Sequence, residues 1–369
     1  MIYLSLFIPL IFALILFVIK HRIHVPHIFF LLLIPIPFIF KACSVGELTK
    51  QNEILGGTVL STTYYEPWDE WIQKECTKEV NCRTDSKGNR SCQTETYDCS
   101  YVSYHSEYWE LETTFGDMNC YQSEYEYLKK KFGNSSFVDM HRDFHSNDGD
   151  SYTSIWKGDS ATFESYFINN TYENRIQASK SIFNYKDADT IHYNLYPRIF
   201  ADRGDANSFL SNSINVSKGN SSLNYYNALF GKSKQLRMIV MVFKNQPLQI
   251  SLEQEAYWKG GNKNEFIVTI GIDNDSNITW ARPFSWTMKK ELIPTVRDDI
   301  FNMKKFNDVK ISTYLGKTVP KMWKRREFKE FEYLSVEESD AAFYGCFITM
   351  FLLSAILFGF FLVKFEDFE

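Results

Sequence analysis

Apolar and polar positions divide this chain into three oily stretches at its two ends and a long mixed segment between them. Residues 2–19 are almost wholly apolar and carry no charge. A second apolar run, 25–42, contains Pro26, Pro35 and Pro37. A third, 341–363, is uninterrupted and ends at Lys364. A bilayer core takes roughly 20 apolar residues per helix. The pattern therefore predicts two membrane helices in 1–43 and one at 341–363. The prolines of the second run remove backbone donors, so a kinked or partly re-entrant segment is expected there. A cleaved signal peptide is the rival reading of the first run. It needs a basic segment ahead of the apolar one, and here Lys20 and Arg22 come after it.

Between the ends the pattern changes period. The segment 44–125 reads as β-rich, with alternating aromatics over Tyr101 to Phe115. Helices are expected at Glu124 to Phe132, at Ser136 to His145 behind a capping box at Ser136 and Asp139, and at Tyr172 to Phe183. Lys186 to Asn224, rich in Asn, Asp and Ser, reads as a long loop. Leu236 to Phe243 and Glu265 to Ile272 are nearly continuous apolar runs of strand length. A helical pattern at Leu248 to Trp258 joins them and ends at Gly260-Gly261-Asn262. Strand, helix and strand with short links predict a βαβ unit with a parallel pair, on which a helix at Thr287 to Phe301 packs. The expected fold class is α/β, α+β overall. The α/β core spans 126–316, and a basic amphipathic connector at 317–340 is suited to the lipid surface. Residues 364–369 form a tail.

Composition sharpens the picture in two places. Aromatic residues make up 17% of the 369 residues, too many for a disordered middle. The net charge of −5 argues against a nucleic-acid binder, which usually carries a basic face. Charge pulls both ways on orientation and leans slightly toward a cytoplasmic domain. Lys20 and Arg22 draw the first loop toward the cytoplasm, whereas the basic run Lys317 to Lys329 draws the other flank there.

Cysteine placement bears on the same question. Cys76, Cys82, Cys92 and Cys99 bracket the turn signal Asp85-Ser86-Lys87-Gly88-Asn89. Cys82 with Cys92 and Cys76 with Cys99 centre on that turn, with a one-residue offset that a β-bulge absorbs. Nested disulfides would staple the hairpin and imply an oxidising compartment. Four thiolates holding a structural zinc would suit the cytoplasm. The spacing typical of zinc knuckles is absent, which favours disulfides and an extracytoplasmic domain. Asn-x-Ser/Thr sequons begin at Asn134, Asn169, Asn215, Asn220, Asn274 and Asn277, but such triplets arise readily in an Asn- and Ser-rich chain.

The densest group of ligand-type side chains is Asp139, His141, Asp143, His145, Asp148 and Asp150. On a helix His141 and His145 share a face, and Asp148 and Asp150 can fold back to complete a site for a divalent metal such as zinc. A helix cap at Asp139 and a turn at Asp148-Gly149 account for the same residues without any metal. A weaker candidate is an anion site at Lys259, Gly260, Gly261 and Lys263, where a helix C-terminal cap explains the glycines equally. Gly231-Lys232-Ser233 lacks the earlier glycine and following helix of a phosphate loop, and no Gly-x-Ser-x-Gly elbow occurs.

The order of apolar strand, helix, Tyr257-Trp258-Lys259-Gly260-Gly261-Asn262-Lys263-Asn264 and apolar strand resembles the central part of TPM domains. The likeness covers residues 236–299. It implies a membrane-tethered, extracytoplasmic α/β/α sandwich, linked in that family to phosphatase activity or to assembly and repair of membrane complexes. No acidic metal cluster lies in the matched segment to carry the phosphatase role over. As a whole the chain resembles uncharacterised membrane-anchored proteins of bacteria and phages, which implies no activity. The function expected is an envelope protein, tethered to the lipid bilayer, whose domain binds or positions a protein partner without catalysis. The alternative is a metal-dependent hydrolase, of the phosphatase type, using His141, His145, Asp148 and Asp150.

Overall fold

Apolar side chains at the chain ends form helices that face one another and leave their outer surfaces apolar. The computed structural model describes residues 2–20, 29–133, 135–142, 144–155, 164–179, 193–197 and 206–364. Outside it lie Pro26, Arg22, Asp143, the sequon at Asn134, the end of the helix expected to Phe183 and the start of the loop expected from Lys186. Three helices are long and apolar enough to cross a membrane, over Ile2–Ile19, Phe30–Thr49 and Asp340–Val363. The first is a 3-10 turn running into α1 (Phe7–Lys20). The second is a 3-10 turn (Phe30–Leu33) followed by α2 (Pro35–Thr49). Pro35 and Pro37 sit in the first turn of α2, where the missing N–H has no helical partner to lose. They start a helix rather than kink one, and the span lies further along the chain than 25–42.

Side-chain contacts fix the direction of these helices. The Ile2 amide donates to Glu338 Oε1 at 2.7 Å, and the Ser339 amide donates to Ser44 Oγ at 2.9 Å. Phe12 meets Phe351 and Phe358 edge-on, and Phe29 meets Phe361 with ring centroids 5.5 Å apart. α1 therefore runs alongside the C-terminal helix (Asp340–Lys364) in the same direction, and α2 runs against both. Ile2, Ser44 and Ser339 share the end that meets the polar domain. Phe29 and Phe361 share the other.

α2 passes without a break into β1 (Lys50–Tyr65), the centre of the first sheet. The strands β2 (Trp68–Ile72), β3 (Glu75–Thr84), β4 (Arg90–Asp98) and β5 (Tyr101–His105) form two small ribbons, β2 with β5 and β3 with β4. β6 (Tyr108–Thr113) and β7 (Gly116–Cys120) then return to β1. After α3 (Gln122–Phe132) come β8 (Ser136–Val138), β9 (Ser151–Ile155) and β10 (Ser165–Glu173). The sheet order is β7-β6-β1-β9-β8, and β10 pairs with the membrane-proximal half of β1. The division expected at 125/126 falls inside this sheet. Ser136 to His145 is not the expected helix: Phe137 and Val138 pair with β9, and the described residues after them are irregular. Strand pairing overrides the capping-box signal.

The second sheet follows a short helix, α4 (Arg175–Ala178). Its strands are β11 (Phe209–Ser211), β12 (Arg237–Lys244), β13 (Glu265–Ile272) and β14 (Ile278–Ser285), in that order, with β11, β12 and β13 parallel. The expected βαβ unit is present, with α6 (Gln249–Tyr257) as its crossover and α5 (Ser217–Lys234) preceding β12. Side chains along β12 alternate between two cores. Met238, Val240 and Val242 meet α5, α7 (Leu292–Asn302) and α8 (Asp308–Met322). Ile239, Met241 and Phe243 meet Ile250 and Trp258 at the crossover. Helices thus cover both faces of a mostly parallel sheet, which is why its strands read as continuous apolar runs.

Two expectations fail here for physical reasons. α5 lies partly in the stretch read as loop, because its buried face mixes Asn224 and Asn227 with Leu223, Ala228 and two glycines. Asn227 Nδ2 donates to the Met238 carbonyl at 2.9 Å while its Oδ1 accepts from the Met238 amide at 2.7 Å. Asn220 Oδ1 accepts from the amides of Ser208 and Phe209. The connector at 317–340 turns Trp323, Phe328 and Phe331 into the domain and leaves Tyr333 exposed. α8 ends at Met322, and Phe328, Phe331 and Leu334 are buried against Ile176, Tyr172 and Trp286 of the domain.

Candidate functional site

Three groups of side chains carry chemistry beyond packing. The first is the β3–β4 hairpin. Its turn is built by Asp85, whose Oδ1 accepts the amides of Lys87 and Asn89, and by Gly88 in the left-handed region at φ 85°. The bonds from Asn89, then Lys87, hold the Asp85 carboxyl below its ordinary range. Cys82–Cys92 and Cys76–Cys99 are disulfides, with Cα atoms 4.0 and 5.8 Å apart. The sulfurs of Cys82 and Cys92 lie near the Glu79 carboxylate, but joined to each other they are not metal ligands. The expected bulge lies between the two cystines, at Asn81, whose φ of 53° is left-handed. Its sense is opposite to the one the spacing predicts. Cys76 stands opposite Tyr97, so Cys99 closes the bridge from beyond the end of β4, where its amide donates to the Lys74 carbonyl. Nearly every residue of both strands is exposed, on both faces.

The second group is the loop 139–150. The structure brings together Asp139, Asp148 and Asp150, whose carboxylate oxygens lie within 4.8 Å of one another. It does not bring the two histidines onto one face, since no helix forms. His141 is 90% exposed, with Nε2 3.6 Å from Asp139 Oδ2. His145 stacks on Trp71, with ring centroids 5.8 Å apart. Asp139, which the sequence offers either as part of the ligand-type cluster or as a helix cap, is the carboxylate that joins Asp148 and Asp150. Gly149 takes a left-handed φ of 65° with its Cα against Trp68 and the Glu66 carbonyl, which sets the sharp reversal between the two aspartates.

The third group is buried and links both sheets. Arg237 opens β12 and Glu265 opens β13 directly beside it, with both side chains wholly inaccessible and Arg237 Nη1 3.4 Å from Glu265 Oε1. Glu265 also accepts the Tyr196 hydroxyl and, at 2.9 Å, the Asn262 amide. Burial pushes its carboxyl above the ordinary range, against the pull of Arg237. On β1, the fully buried Glu53 accepts from Arg325 Nη2 at 2.9 Å and from Asn170 Nδ2 at 2.8 Å. Asn262 and Asn264 stitch the sheets together by donating to the carbonyls of Asn52 and Ile54.

The Gly260–Lys263 loop sits against this network. Its amides are used internally: Gly260 donates to the Glu255 carbonyl, Gly261 to the Trp258 carbonyl and Asn262 to Glu265. Lys259 donates to the Gln177 carbonyl, and the Lys263 ammonium lies over the Tyr172 ring, 4.4 Å from its centre. Burial lowers the affinity of both lysines for their protons. The anion facing the loop is thus the protein's own Glu265. Glu53, Arg237 and Arg325 were not singled out by sequence. The available signal was an arginine and a glutamate, each opening an otherwise apolar strand run. A separate cleft of about 400 Å³ runs between β14 and α7, lined by Arg282, Trp286, Lys290 and Arg297, with Glu255 bonded to Arg282 across it.

Comparison of the chain with protein-family models, with curated proteins and with solved structures finds no match.

Proposed function

We propose that this chain is a multi-pass membrane protein that holds its folded domain on the extracytoplasmic side, where the β3–β4 hairpin binds or positions a protein partner. The observation that carries the reading is the hairpin itself. Two disulfides fix its shape, yet it packs little of either face against the rest of the chain. An isolated two-stranded ribbon is marginal in water. A ribbon stapled twice and left exposed is rigid enough to bind without a large loss of entropy. Disulfides belong to oxidising compartments, which supports the outward orientation. The loop after Lys20 and the end of the C-terminal helix then face the cytoplasm, with Lys20 and Lys364 in accord with the positive-inside rule. The basic run before the last helix opposes that rule, but long domains translocate largely regardless of charge, and Arg325 and Arg326 are paired to Glu53 and Glu330. The likeness of residues 236–299 to TPM domains, with their part in assembly of membrane complexes, supports the same reading.

The test is site-specific photo-crosslinking in intact cells from Val80 or Gln93, with the same probe at exposed Lys310 on α8 as the control. One discrete adduct formed from the hairpin positions and not from Lys310 is the expected result. No adduct, or the same adducts from every position, overturns it.

A second reading, a tethered metal-dependent hydrolase, is favoured by the meeting of Asp139, Asp148 and Asp150. His141 beside Asp139 would complete a divalent-metal site, whereas His145 is engaged by Trp71. Metal analysis of protein purified without chelator tests it. Stoichiometric zinc or manganese that is lost in Asp148→Asn/Asp150→Asn supports a metal site, and metal-free protein rules it out.

A further inference from the structure

The second sheet stops at β14, whose outer edge pairs with no further strand among the described residues. That edge is closed at its two ends. The Ile278 amide donates to the Lys304 carbonyl, and the Met288 amide, beyond the strand, donates to the Lys324 carbonyl. Between them lies the cleft of about 400 Å³, lined by every residue from Arg282 to Trp286. Successive strand residues face opposite sides of a sheet, so a space that touches all of them follows the edge and not one face. Glu255 and Gly260 bound it on the α6 side, and Lys290, Ile293 and Arg297 on the α7 side. Main-chain groups point into this trough. Pro283 stands opposite Val268, and proline has no N–H to give to β13. Bonded and unbonded positions alternate along an antiparallel pair. Pro283 and Ser285 therefore turn their carbonyls, and Ser285 its amide, away from β13. Among the described residues no other backbone group hydrogen-bonds to them.

Charge selects the occupant. Arg282, Lys290 and Arg297 all line the cleft. Glu255 answers Arg282 and Asp298 answers Arg297, while Lys290 has no ion-pair partner among the described residues. Arg297 and Asp298 are both more than half exposed, so their pairing is weak and open to exchange. Proline and basic side chains also guard strand edges against self-pairing. A guarded edge needs no trough, however, and here helical elements stand apart on both sides of it. We propose that β14 takes an extended, acidic segment of a partner protein as a fifth strand of the second sheet. In this mode of recognition main-chain hydrogen bonds supply affinity and alternate side chains supply specificity. Carboxylates on one face of the segment meet Lys290 and Arg297. Its other face lies against Trp286 and the Arg282–Glu255 pair. The cleft and the β3–β4 hairpin belong to different sheets, so this inference does not rest on the hairpin reading and each can fail alone.

The experiment is selection from a random heptapeptide library on the full chain in detergent, followed by affinity measurements on the enriched sequences. These peptides are expected to carry Asp or Glu at alternate positions. Lys290→Glu/Arg297→Glu, at two exposed positions, should weaken their binding by about tenfold or more, and N-methylation of alternate peptide amides should do the same. The first change reads the charge match and the second reads strand pairing. With peptide bound, the Ser285 amide should exchange more slowly. Failure to enrich any peptide overturns the proposal. So do acidic peptides whose affinity survives the charge reversal, or whose N-methylated forms bind equally well. Dimerisation of the full chain that disappears in the same double variant would assign the edge to a second copy and overturn it too.

Discussion

At the residue scale, the charged side chains that matter most are the ones with no access to solvent. Glu53 depends on Arg325 for its charge partner, and removing one member of a buried pair leaves the other uncompensated. Arg325→Ala is expected to destabilise the domain by about 3 kcal/mol, read as a fall in the denaturant midpoint. Glu265 gives a pH signature. Burial raises its native proton affinity above that of the unfolded chain, so its contribution to stability is complete below the ordinary value of 4.5 and is lost as pH rises through the native one. Glu265→Gln carries no such term. The stability difference between wild type and variant should therefore shrink in favour of the variant from pH 4.5 to pH 7; a constant difference contradicts the burial argument. Neither residue was legible as a site, because a single charge at the start of a strand is also ordinary strand-end chemistry. The pairing of Arg237 with Glu265 requires the parallel register, which spacing alone does not supply.

At the scale of elements, the second sheet was readable strand by strand and the first only as a β-rich segment. β12, α6 and β13 announce themselves because each face of a parallel strand meets apolar helices, and the glycines after α6 mark its end. α5 is hidden because it uses Asn220 and Asn227 to bind backbone groups of neighbouring strands, so its inward face lacks the apolar period. Its approach to β1 also demands glycine. A Cβ on Gly231 would run into the backbone of Gly56, and one on Gly56 would meet the carbonyl of Asn227. Gly231→Ala should cost about 1–3 kcal/mol through overpacking, checked by thermal unfolding. The hairpin follows different rules. Its nested cystines were legible from the shared turn, while the sense of its bulge depended on Asn81 taking a left-handed conformation. Replacing all four cysteines by serine should leave the stability of the α/β core within about 1 kcal/mol and abolish amide-exchange protection in β3 and β4 alone, since little of the hairpin packs on the core. Loss of protection in β12 as well would show the hairpin to be part of the core's cooperative unit.

At the scale of the whole molecule, three apolar helices and one polar domain meet at a single end. The apolar runs gave the helices directly, although Pro35 and Pro37 mark the start of the second span and not its interior. Orientation was not legible, because basic residues flank both sides and the positive-inside rule has no unique answer for this chain. The proposed outward orientation rests on the disulfides, because cystines form and persist in oxidising compartments. The most direct test is the thiol state of the full chain in its own cell, trapped by acid and alkylated before lysis. With the domain outside the cytoplasm, Cys76, Cys82, Cys92 and Cys99 should resist alkylation until reduced and be recovered as the linked pairs Cys76–Cys99 and Cys82–Cys92. Four free thiols, labelled by a membrane-permeant reagent and protected from an impermeant one, would place the domain in the cytoplasm and rule out the outward orientation.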